Sequence, residues 1–100
     1  MKITTYVPQT CKSGILEEVH HNLLWVAGGS TRHEAYGSWL ESNSLTRNQI
    51  VGEAVFVTTY FVKPQASVAF DAALKRLKAE LHRLGEVSVM IERDGEVTFG

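Results

Sequence analysis

The chain has a single cysteine, two prolines and no surplus of either charge. Cys11 has no second thiol to pair with, so no disulfide and no oxidising compartment is implied. Ten basic residues against eleven acidic ones leave a net charge of −1. The charges are scattered, without a tail of one sign. A nucleic-acid surface normally shows as a basic excess, so no nucleic-acid partner is expected. No segment approaches the roughly 18–20 apolar residues of a membrane span. Residues 1–6 lack the apolar core of a signal peptide. The expectation is a cytoplasmic protein with no membrane partner. Cofactor motifs are missing too. Gly28-Gly29-Ser30-Thr31 is glycine-rich, but it follows a helical pattern and not a strand, so it reads as a helix stop, not a phosphate loop. No Gly-x-Ser-x-Gly elbow is present. No cofactor is expected.

What is present is organised around residues 50–62, the longest run of β-branched and aromatic residues. Alternation puts Val51, Glu53, Val55, Val57, Thr59 and Phe61 on one face. Ile50, Gly52, Ala54, Phe56, Thr58, Tyr60 and Val62 fall on the other. Both sets are mostly apolar, so this reads as a central strand covered on both sides.

The rest of the chain fits around it. Residues 2–7 alternate as a first strand ended by Pro8. Ser13 is placed to cap a helix that runs to Val26, with Ile15, Leu16, Val19, Leu23 and Val26 on its apolar face and Gly28-Gly29 as its stop. Residues 31–41 read as a second strand, in which Gly37 marks a bulge or a close approach. A polar connection over 42–49 leads into the central strand. Phe70, Leu74, Leu77, Leu81 and Leu84 then recur at spacings of four and three over a helix at 67–84, closed by Gly85. Asp71 is spaced to pair with Lys75. Residues 87–92 alternate as a fourth strand, and Asp94-Gly95 turns it into a fifth at 96–99.

This order, β-α-β-β-α-β plus a hairpin strand, predicts one α+β domain over residues 1–100. It is ferredoxin-like, an antiparallel-rich sheet in the order 2-3-1-4-5 with two helices on one face. The other face is then uncovered, although the central strand is apolar on that side as well. Tyr6 or Val7, Tyr60 or Phe61, and Met90 would contribute to it. A large apolar face on a small protein marks an interface or a groove, which predicts a homodimer.

Several side chains are candidates for chemistry. Glu17, His20 and His21 share a helix face, but no second motif completes a metal site, so none is assigned. Cys11 beside Lys12 has no resolving cysteine and reads as an unreactive loop thiol. Glu53 lies on the most apolar strand, where a carboxylate is costly unless paired. Trp39 on the preceding strand is placed to wall the same pocket, and His33 or Glu34 to meet Glu53 across the hairpin. His33 and Glu53 are therefore the catalytic candidates, in the manner of a His–carboxylate pair.

The run Gly28-Gly29-Ser30-Thr31, then Tyr36-Gly37-Ser38-Trp39, then Glu53 in a strand resembles a pattern in small uncharacterised bacterial and phage-encoded proteins, a domain of unknown function. Their chains end, like residues 87–99, in Val-x-Val-x-x-Glu-x-Asp-Gly-Glu-Val-x-Phe. The resemblance implies a compact α+β fold and directs attention to Thr31, Gly37, Trp39 and Glu53 as ligand-binding residues. It carries no established activity. The expected function is a homodimeric binding module for a small ligand or a partner protein. The alternative is an enzyme of the dimeric α+β-barrel kind, with a pocket around Glu53, Trp39 and His33.

Overall fold

A computed structural model of the chain describes residues 1–43 and 47–100, with side chains described outside 39–51. Five strands and two helices alternate as β1 (Lys2–Pro8), α1 (Gly14–Ala27), β2 (Ser30–Asn43), β3 (Arg47–Phe61), α2 (Ser67–Arg83), β4 (Met90–Arg93) and β5 (Glu96–Phe99). The strands form one antiparallel sheet in the order β2-β3-β1-β4-β5. The fold is ferredoxin-like with an added hairpin strand. No helix among the described residues is long and apolar enough to cross a membrane.

Local signals set the element ends. The Ser13 hydroxyl accepts from Leu16 N–H at 2.9 Å and caps α1, while Gly28, at φ 84°, donates to Leu24 O and closes it. Asp94 and Gly95, both at positive φ, make the tight turn between β4 and β5.

The helices lie on one face. Ile3, Val7, Tyr60 and Ile91 from the sheet close against Leu16, Val19 and Leu23 of α1 and Phe70, Leu74, Leu77 and Leu81 of α2. Tyr60 meets Phe70 edge-on, with ring centroids 5.3 Å apart. Val57 is also buried, yet it lies outside this core, because the odd-numbered residues of β3 face away from the helices.

Several expectations change. β3 is central, with a partner along each edge, but only its even-numbered face is covered by helices. The polar connection expected over 42–49 is mostly strand, since Ser42 pairs with Asn48 and Asn43 with Arg47. Polar residues hold a ribbon as well as apolar ones where the backbone ladder does the work. Gly37 pairs in unbroken register with Glu53, without a bulge, and nothing lies within 4 Å of a Cβ built on it. The close approach is at Gly52, where such a Cβ would sit 2.6 Å from Tyr36 Cε1. The fourth strand begins at Met90, and Val87 is 92% exposed. Asp71 pairs with Arg93 of β4 at 2.7 Å, because the sheet brings a cation closer than the next helical turn does.

Candidate functional site

β1 ends at Pro8, which has no N–H to extend the ladder. β2 and β3 run on past it. The last β1–β3 pair is Pro8 with Val55, whereas β2 and β3 stay paired out to Asn43 and Arg47. On the other side, β4 pairs with β1 only up to Thr5. The end of the sheet therefore opens where its middle strand leaves.

The C-terminus of α2 delivers the second wall. Gly85, at φ 105°, lets Glu86 N–H reach back to Leu81 O at 3.0 Å and Gly85 N–H to His82 O at 3.0 Å, a Schellman-type closure. The His82 ring adds a 2.7 Å bond to Glu86 O. The chain at 86–89 is thereby held beside the sheet end, and Val89 is tied to Gly100 by two backbone bonds.

Between these walls lies a groove of about 710 Å³. Pro8, Leu81 and Val89 are its buried lining residues, Tyr6, Val55 and Met90 are half-buried, and Val87 and Phe99 are exposed at its rim. Gly37, Ser38 and Glu53 enter from the ribbon. Among the described residues, its charged lining is two carboxylates, Glu53 and Glu86.

The Glu86 charge acts on its neighbours. Burial raises the Glu53 pKa above the ordinary carboxylate value, and the charge of Glu86 raises it further. The Cys11 thiol lies 3.5 Å from Glu86 Oε1. Burial, then the Glu86 charge, push its pKa up to about 11, with a smaller push from Glu53. Lys12 does not activate it, and the thiolate is disfavoured on every count. Tyr6 donates to Glu92 Oε2 at 2.8 Å, and burial followed by that bond raises its pKa.

Of the residues singled out from the sequence, the groove brings together Gly37 and Glu53. Thr31 and His33 lie outside it. His33 pairs with Val57, four positions along the ladder from the Gly37–Glu53 pair, about 14 Å at the usual rise per strand residue. It is exposed, as is Glu34. The backbone of Trp39 pairs with Val51, but the side chain lies outside the described residues, so its placement as a pocket wall does too. On α1, His20 turns inward, its Nδ1 3.1 Å from the Tyr60 hydroxyl, while Glu17 and His21 face solvent. The described residues contain no cluster of three metal-ligating side chains.

Glu86 escaped sequence reasoning, whereas Tyr6 and Met90 were expected on the uncovered face. Glu86 falls between a helix cap and an apparent strand, where it reads as a surface residue. The one available signal was Gly85, since a Schellman closure fixes the direction of the residue after it.

No protein-family model matches the chain, and no curated protein matches it. Among solved structures, a phage SAM lyase in complex with S-methyl-5′-thioadenosine is similar in fold, with a TM-score of 0.60. The two are 14% identical over 99% of this chain and 87% of that one.

Proposed function

We propose that this chain is a small-ligand-binding protein and that the ligand occupies the groove at the end of the sheet. The observation that carries the reading is the groove itself. Its volume of about 710 Å³ falls within the range of small-molecule sites, and it combines apolar walls with a few convergent polar groups. The similar phage lyase holds a nucleoside thioether, which makes S-methyl-5′-thioadenosine the first ligand to try. Calorimetric titration with that compound is the test. Saturable binding, lost when Val55→Arg fills the groove, is the expected result. Binding that Val55→Arg leaves intact would place the ligand elsewhere.

The active form in this reading is a homodimer joined through the helix-free face. In support, Phe61, Val97 and Phe99 are exposed, and β3 adds the half-buried Val55 on that side. A face of this kind matches an interface of about 800 Å² per partner. Sedimentation at micromolar concentration should give twice the 11.1 kDa chain mass. A clean monomer would remove the dimer and leave the groove assignment standing.

A further inference from the structure

We infer that the groove selects ligands with a positive centre, an amine or a sulfonium carried on an apolar body, held between Glu53 and Glu86. This deepens the ligand-site reading above and rests on it. Among the described residues, the lining contains these two carboxylates and no lysine, arginine or histidine. Neither carboxylate takes part in an ion pair among the described residues, whose salt bridges join Arg76 to Glu18, Arg83 to Glu80 and Arg93 to Asp71. The neighbouring donors are neutral, with the hydroxyls of Ser38 and Ser88 also in the lining. The Tyr6 hydroxyl is spent on Glu92, and the Cys11 thiol stands at 3.5 Å from Glu86.

Two like charges facing one partly buried space repel each other, and Glu53 is also penalised by lost hydration. The cost is visible at Glu53, whose carboxyl is held more basic than usual. A cation placed between them relieves both effects. A neutral ligand relieves neither, and an anion adds a third repulsion. The apolar lining from Leu81, Val89, Val55 and Pro8 supplies contact for the uncharged part of the ligand but no charge selection.

The experiment compares two probes that differ by one methyl group and one charge: S-methyl-5′-thioadenosine, and the dimethylsulfonium formed by methylating its sulfur. Each is titrated into the full chain and into Glu53→Gln and Glu86→Gln. The sulfonium should bind about 10-fold or more tightly than the thioether, the size of effect one added charge has in a partly screened site. Each variant should shrink that ratio toward one, by weakening the sulfonium more than the thioether. Melting curves establish that the variants are folded, and having two variants keeps the test open if one is not. Equal affinity of wild type for both probes would overturn the charge selection while leaving the groove as a ligand site. An undiminished ratio in both variants would overturn the assignment to these carboxylates. Binding of neither probe would overturn this inference together with the nucleoside ligand.

Discussion

On the helix side of the sheet, Ile3, Tyr60 and Ile91 are at most 3% exposed; on the other side, Phe61 and Phe99 are 57% and 69% exposed. Both faces are drawn from the same strands and carry similar residues. The difference comes from the layers. Two right-handed crossovers deliver both helices to one face, and nothing in the described chain is left to cover the second. Apolar character thus states what a face would gain from burial, not whether it is buried. At the sheet end the same contrast turns into a groove, where apolar side chains stand open beside two acids.

The largest effects should separate the two faces. Leu77→Ala or Leu81→Ala should cost roughly 2–5 kcal/mol, the range for truncating a buried leucine. Phe61→Ala, more than half exposed, should cost well under that in dilute monomer. Denaturant melts of the three variants measure the gap. Similar losses for Phe61 and Leu77 would mean the second face is covered in solution.

Acid should probe the helix side specifically. Burial, with a contribution from the Arg32 charge, lowers the His20 pKa from 6.5 to about 4. The unfolded chain therefore binds the extra proton first as pH falls. The contribution of neutral His20 is complete above pH 6.5, declines as pH falls toward 4, and is lost below that. Allowing for the part of the ring that water reaches, the loss is on the order of 2 kcal/mol. Stability measured from pH 7 to 4 should fall in wild type and fall less in His20→Gln. Equal slopes would mean that His20 is not buried against Tyr60.

A smaller effect should test the ribbon. Gly52→Ala drives a methyl group into the Tyr36 ring, at a cost of about 1–3 kcal/mol if the ring cannot yield. Tyr36→Ala in the same chain should recover most of it. Additive losses in the double variant would show that the two residues do not meet.

The smallest expected change is at the groove. Glu53→Gln removes a carboxylate whose raised pKa means that folding already penalises its charge. The melting temperature should hold or rise slightly. A large drop would make Glu53 a structural acid and take the charged anchor out of the ligand site.

The legible parts of this fold were those governed by neighbours in sequence. The leucine spacing in α2 foretold Leu77 and Leu81 as core, and Ser13, Gly28, Gly85 and Asp94-Gly95 marked their caps and turn. The Gly37–Glu53 pairing was not legible, because the ribbon runs on through most of the stretch expected as a loop, and that shifts His33 to Val57 instead of Glu53. Asp71 was not, since Lys75 one turn away and Arg93 on a strand are equal candidates by charge and only the packing of α2 on the sheet chooses. Val87 was not, because three alternating residues look alike whether or not a partner strand lies beside the first of them.

The sequence by itself determined the helices, their caps, the tight turn and the strand order. These follow from steric limits on φ and from side-chain periodicity, which act over a few residues. Only the tertiary structure decided which face of β3 stays open and that Glu53 and Glu86 share a groove. Those residues reach one place from β3 and from the end of α2, because β1 stops at Pro8 and Gly85 turns the chain back beside the gap. No local pattern encodes the meeting of segments that far apart.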